Sequence, residues 1–119
     1  MRHRKKKKIG NGRDHKRKLL RSLAASTIVY EKIKTTHARA KITKSVVERL
    51  ITKGKVKDLH RNRQIYSALP KNAAQKVIEV LSPRYENRKG GYTRIVKLGR
   101  TKDGMPEVLL ELLPADSSK

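Results

Sequence analysis

The sequence predicts an α+β fold, with three to four helices packed on a small, mostly antiparallel three-stranded sheet and a basic extended N-terminal arm. Three observations lead there. Apolar residues recur at helical spacing between residues 14 and 81, two β-rich runs flank an Asp103–Gly104 step near the end, and no apolar pattern precedes residue 14. A length of 119 residues suits one domain. The chain divides into a basic arm over 1–13, a single α+β domain over 14–113 and a flexible tail over 114–119.

The arm comes first. Eleven of the first 21 residues are Lys or Arg, opposed only by Asp14. Such a stretch cannot bury enough surface to repay its own ordering, so a polyanion is needed to organise it. Asp14 is placed to cap a first helix whose apolar stripe is Leu19, Leu20, Leu23, Ala24 and Ile28. Lys16, Arg17, Lys18 and Arg21 crowd the first turns of that helix, against the positive end of its dipole, and an anion docked there would relieve the conflict.

Residues Tyr30 to Thr36 alternate as a short strand, and Thr35 or Thr36 caps the next helix. Ile42, Val46 and Leu50, with Val47 and Ile51 beside them, predict an amphipathic helix from Ala38 to Lys53 with Gly54 as its stop. Its other face carries Arg39, Lys41, Lys44, Arg49 and Lys53. A third helix runs from a cap at Asp58 to Leu69 and ends at Pro70. A fourth opens at Asn72, carries Ala74, Val77, Ile78 and Leu81 on one side, and stops before Pro83. Arg84 to Gly91 reads as a loop, its paired glycines allowing a tight turn or a close approach to a partner. The strands Tyr92 to Leu98 and Glu107 to Leu113 then form a hairpin, with Pro106 at a strand start where no ladder donor is required. Val108, Leu110 and Leu112 face the helices, and Glu107 and Glu111 point away.

Charge decides the function class. Lys and Arg total 32 against 10 Asp and Glu, a formal net charge of +22. Nucleic acid is the partner that supplies dense negative charge and releases counterions on binding. The chain has no cysteine, which excludes disulfides, thiolate metal sites and thiol catalysis. No apolar run approaches the ~20 residues of a membrane-spanning helix, so no membrane insertion is expected. His3, His15, His37 and His60 show no i, i+4 pairing, no G-x-S-x-G occurs, and Gly90–Gly91 lacks the lysine and hydroxyl of a phosphate-binding loop. The chain is therefore expected to be no enzyme, with no cofactor, no metal and no small-molecule substrate. Four tyrosines are few for reading splayed bases, which points to contacts with phosphate and helix shape.

Basic residues lie on nearly every element. Arg13, Lys16, Arg17 and Arg21 mark the first helix, Arg39, Lys41 and Lys44 the second, and Arg61 and Arg63 the third. Arg84, Arg88, Lys89 and Arg94 surround the Gly90–Gly91 loop, where Tyr92 either stacks on a base or covers the sheet edge. Arg suits planar bidentate phosphate contacts and Lys point-charge ones.

Several blocks resemble bacterial large-subunit ribosomal protein seventeen, the L-seventeen family. They are Met1 to Lys5, His15 with the basics after it, Ile33 to Thr36, Arg39 to Lys41, Leu50 to Thr52, Pro83 to Tyr85 and Gly90 to Ile95. The resemblance runs from Met1 to about Leu113, which argues against reading the arm as a targeting presequence. The chain departs from the family pattern at Ile9 to Asn11, at Gly12 to Asp14, and at Lys16, where the family often has Arg.

The resemblance implies an α+β core that binds large-subunit rRNA, an arm threading into RNA, a place near the exit of the nascent-chain tunnel, and other large-subunit proteins as neighbours. It implies rRNA contacts at Arg2, His3, Arg4, Lys5, His15 and the basics after it, Arg39, Lys41, Gly90, Gly91, Tyr92 and Arg94. Together with the charge reading, the candidate set also takes in Lys6, Lys7, Lys8, Arg13, Lys16, Arg17, Lys18, Arg21, Lys44 and Arg88. The expected function is structural: phosphate neutralisation in a cytoplasmic ribosome, with no obligate homo-oligomer. The alternative is a nucleoid-type DNA-binding architectural protein, which shares the charge but needs a dimer or a groove-wedging residue. A polybasic membrane-surface protein is a third class, less suited because the apolar stripes are used in a core.

Overall fold

The computed structural model describes residues 13–114. They carry helix α1 (Arg13–Tyr30), strand β1 (Lys32–Thr36), helix α2 (His37–Gly54), helix α3 (Leu59–Ala68), a segmented helix, and strands β2 (Thr93–Arg100) and β3 (Pro106–Leu112). The segmented helix begins as Lys71–Lys76, continues through a π-helical turn at Val77–Leu81, and ends in one α-helical turn at Ser82–Arg84. The three pieces run without a break and are together called α4. The α+β class expected from the sequence is the one observed, and the sheet is wholly antiparallel with order β1–β3–β2.

The helices lie on one face of the sheet. β3 is the central strand, and its period of two buries Val108, Leu110 and Leu112 beneath them. In register, Ile33 of β1 and Ile95 of β2 flank Leu110, and Ala40 of α2 packs over this row. The larger core gathers Ala24 and Ile28 of α1, Val47, Leu50 and Ile51 of α2, Ile65 of α3, and Val77 and Leu81 of α4. Tyr85 and Tyr92 close its end, their ring centroids 5.1 Å apart and tilted by 38°. Full burial of a side chain of this kind is worth about 1.5–3 kcal/mol relative to leaving it exposed.

Several boundaries move for physical reasons. α1 is described from Arg13, and Asp14 is the acid of its first turn, where its charge favours the helix dipole. α1 also takes in Tyr30, so β1 starts at Lys32 and not at Tyr30. Thr36 caps α2 as expected, its hydroxyl accepting from the Arg39 amide at 3.4 Å. Gly54 is not a left-handed stop. It is the last residue of α2, fully packed, and a Cβ there would sit 2.6 Å from Ser82 Oγ and 3.1 Å from Val77 Cγ1. Glycine is needed because α2 and the π turn of α4 approach too closely for any side chain. Asp58 precedes α3 without making a side-chain cap. Pro83 lies inside α4 and not beyond it; at the first turn of the last segment its missing N–H falls where the π register has already interrupted the ladder. The Ser82 hydroxyl donates to the Val77 carbonyl at 2.7 Å, and the Ser82 amide uses the same acceptor, five residues back.

One residue outside the pattern joins the layers. Glu31, between α1 and β1, has φ 66°, and among the described residues it is the single non-glycine in the left-handed region. That conformation costs ~1–3 kcal/mol. Its carboxylate accepts from Arg84 Nη1 at 2.7 Å and Nη2 at 3.0 Å, a bidentate fork, and pairs with Lys76 Nζ at 2.9 Å. Lys76 also donates to the Val29 carbonyl at the end of α1, and the Glu31 carbonyl accepts from the Leu112 amide at 2.8 Å. α1, α4 and β3 thus meet at one residue. Arg84's guanidinium, against the opposing effect of burial and with help from Lys76, holds the Glu31 carboxyl at about 2 instead of 4.5. The same contact holds Arg84 protonated more firmly than usual, while burial pushes the Tyr85 phenol upward.

Because the folded pKa of Glu31 is depressed, its contribution is complete above about pH 4.5 and is lost as pH falls toward about 2. The side chain is 37% exposed, so solvent screening limits that contribution to about 1–2 kcal/mol. Glu31→Gln is expected to lower stability by that amount at pH 7 and to flatten the acid limb between pH 4.5 and 2. Urea titrations at a series of pH values measure both. An unchanged acid limb would remove Glu31 from its joining role.

Candidate nucleic-acid interface

α1 and α2 pack side by side and leave a groove along their outer seam. From α1 come Lys16, Arg17, Leu20 and Arg21; from α2 come Lys41, Ile42, Val46, Arg49 and Lys53; and the end of α3, at Ser67 and Ala68 with Leu69 after it, closes the smaller cleft. Helical spacing accounts for the assembly, because residues three and four apart share a face. Lys41, Ser45, Arg49 and Lys53 form one such row on α2, and Lys16, Arg17, Leu20 and Arg21 cover the matching side of α1. The groove comprises two clefts of about 380 Å³ and about 710 Å³, with Leu20, Val46 and Arg49 lining both. Its rim carries six cations and no carboxylate among the described residues. Uncompensated positive charge lining a concave surface focuses potential outward, which is what a polyanion site requires.

The structure sorts the sequence-predicted residues into groups. It brings Lys16, Arg17, Arg21 and Lys41 together at the groove. Arg13, His15 and Lys18 are exposed on α1 outside the groove lining, and Lys44 is half-buried on α2. Arg39 lies away from the seam, in a notch with Lys34, Thr101 and Met105 at the hairpin end. Arg2, His3, Arg4, Lys5, Lys6, Lys7 and Lys8 lie outside the described residues. Arg49 and Lys53 were seen in the sequence as part of the basic face of α2 but were not carried into the candidate set. The four-residue spacing from Lys41 was the signal that places them beside Arg17 and Arg21.

Of the two roles open to Tyr92 in the Gly90 to Arg94 block, stacking on a base or covering the sheet edge, its burial excludes the first. Tyr92 is 1% exposed, so it has no free ring face on which a base can stack. Its hydroxyl accepts from Lys55 Nζ at 3.0 Å and lies 3.3 Å from Thr52 Oγ1, and Lys55 also donates to the Arg88 carbonyl. Thr93 donates from its amide at 3.2 Å and its hydroxyl at 2.8 Å to the Glu48 carboxylate on α2. Gly91 has φ 64°, a left-handed turn that delivers Tyr92 inward. Arg88 is half-buried and donates to the Gly91 carbonyl at 3.3 Å, within the loop itself. Arg94 projects from the outer sheet face and pairs with Glu111 at 3.3 Å. Gly90 is open, with nothing near the position of a Cβ. In this structure the block fastens the sheet to α2. The residue types fit that role: a glycine for the turn, an aromatic to bury, a hydroxyl to meet a carboxylate.

Among the described residues, no group of three or more His, Asp or Glu side chains is placed to hold a metal ion, and no helix is long and apolar enough to cross a membrane. The sequence profile of the family described as Ribosomal protein L17 matches residues 19–113. The chain is 46% identical over 113 residues to a large ribosomal subunit protein bL17 of an Exiguobacterium species, covering 89% of this chain and 97% of that protein. It is 43% identical over 116 residues to the protein of the same name in Syntrophotalea carbinolica, covering 95% and 75%. The bL17 protein of a Thermoanaerobacter species is 43% identical over 109 residues, covering 90% and 97%.

The loop assignment has a direct check. Tyr92→Phe removes the hydroxyl that receives Lys55 and meets Thr52, and is expected to cost about 1 kcal/mol of stability. Thermal melts measure that cost, and RNA affinity of the folded variant should stay within about twofold because the groove lies elsewhere. An affinity loss with an unchanged melt would return Tyr92 to the interface.

Proposed function

The chain belongs to the ribosomal protein L17 family, and from that premise we propose that it is a structural constituent of the large ribosomal subunit that binds large-subunit rRNA. The observation that carries the reading is the α1–α2 groove, whose cations lack carboxylate partners among the described residues. Phosphates positioned along the seam neutralise those charges, and the release of their counterions supplies the affinity. The α+β core acts as the spacer that fixes the angle between the two cationic rows. The relatives' name, large ribosomal subunit protein, gives the assembly in which this happens. The same reading puts the protein in the cytoplasmic ribosome, beside other large-subunit proteins and near the exit of the nascent-chain tunnel. The work is binding and not catalysis.

The basic run from Arg2 to Lys8 belongs to the same proposal. Its six Lys and Arg residues, with no acid among them, suit contact with phosphate backbones. Removing residues 1–12 is expected to weaken rRNA binding by more than about tenfold at physiological salt while the remaining chain melts cooperatively. Filter binding and calorimetry measure the two, and equal binding by the shortened chain would dismiss the arm.

Salt dependence tests the groove. Each phosphate contact contributes about 0.7–0.9 to the slope of log affinity against log salt, so Arg17→Gln with Arg49→Gln should reduce its magnitude by roughly 1.4–1.8. Parallel titrations with large-subunit rRNA fragments and duplex DNA at matched salt separate the candidate partners. Preference for duplex DNA would overturn the ribosomal reading in favour of an architectural DNA-binding role.

A further inference from the structure

We propose that the α1–α2 groove seats one unstacked nucleobase of the bound RNA, a bulged or extruded nucleotide, on the aliphatic floor made by Leu20 and Val46. Arg17, Arg21, Arg49 and Lys53 hold the phosphates on either side. The inference rests on the rRNA-binding reading and takes it from backbone contact to base contact.

A surface that meets only phosphates needs no apolar floor. Yet this groove has one, made of side chains that stay half-buried after the core has packed. The buried row of α2 is Ala40, Thr43, Val47, Leu50, Ile51 and Gly54. Ile42 and Val46 sit on the neighbouring row, half-buried, facing the clefts. Val46 packs one side against the core, and its remaining surface, with Ile42 beside it, lines the seam. Leu20 of α1 is likewise half-buried there.

The shape and charge of the seat select its occupant. A cleft of about 380 Å³ falls in the range that accepts small flat ligands. Stacked bases inside a duplex cannot enter it, whereas an extruded base can. A nucleotide combines a flat, weakly polar ring with an anionic phosphate on each side, which matches an aliphatic floor rimmed by cations. The absence of an exposed aromatic at the seam is no obstacle, because arginine guanidinium planes also stack on bases. Three of the four rim cations are arginines, and none has a carboxylate partner among the described residues.

The test uses the full chain and three RNA duplexes of equal length and charge: fully paired, with a single bulged 2-aminopurine, and with an abasic bulge. At matched salt the bulged base should bind at least about tenfold tighter than the other two, the range that burial and stacking of one base supplies. 2-Aminopurine emission should rise as the base leaves the stack. Leu20→Ser should abolish that preference while leaving the salt slope unchanged, and Arg17→Gln should weaken all three RNAs alike. Circular-dichroism melts confirm that both variants fold. Equal affinity for the three RNAs, with a normal salt slope, would overturn the base seat and leave phosphate binding standing. Salt-independent or absent binding of every RNA would overturn the rRNA reading itself. Displacement of paired and bulged RNA alike by an acidic amphipathic peptide would assign the groove to a protein partner and end the proposal.

Discussion

The carboxylate of Glu31, clasped by Arg84 and Lys76, is the contact on which the arrangement of the layers depends. It occupies the single residue between α1 and β1, where the chain leaves the helix and turns at once into the sheet. A left-handed glutamate is an expensive way to make that turn, and glycine would make it with less strain. What glutamate adds is a charge at the corner, where the end of α1, the last turns of α4 and the amide of Leu112 converge. With the corner held, the end of α1 is fixed both to α4 and to the central strand of the sheet.

That observation gives meaning to the charge imbalance. Acids are scarce in this chain, and the ones with defined partners do structural work. Glu31 joins helices, Glu48 receives Thr93 and fixes the sheet to α2, and Glu111 takes up Arg94 on the outer sheet face. None of them faces the α1–α2 seam. The acids that have defined partners are thus used inside the fold, and the cations of the groove are left uncompensated among the described residues. A net charge of +22 would otherwise be a uniform repulsion; here it is directed.

Much of the fold was legible because it follows period. The stripes of α1 and α2, the Thr36 cap, the hairpin around Asp103 and Gly104, and the alternation of Val108, Leu110 and Leu112 all depend on spacing and local chemistry. What period could not reveal were contacts between distant residues. Glu31 and Arg84 are 53 positions apart, and nothing near Glu31 announces a left-handed turn. Gly54 looked like punctuation and turned out to be a point of close packing against Ser82 and Val77. The Gly90 to Arg94 block looked like a contact surface because its residue types suit one. Its tyrosine and threonine point inward because Thr52, Lys55 and Glu48 wait there on α2, some 37 to 45 positions away. For the candidate site, each cationic row was readable on its own helix, but that the two rows share a seam is a property of helix packing.

The π turn of α4 bears on chain length. Between Val77 and Leu81 the helix holds one residue more than an α-helix would need for the same advance. The surplus is absorbed inside the turn, so Lys76 before it and Arg84 after it both reach Glu31. Removing one residue here would let the α-helical ladder close, and the Ser82 amide and hydroxyl would lose the carbonyl five residues back that they share. The turn is therefore the point of α4 where the residue count can differ by one while the helix on either side keeps its partners.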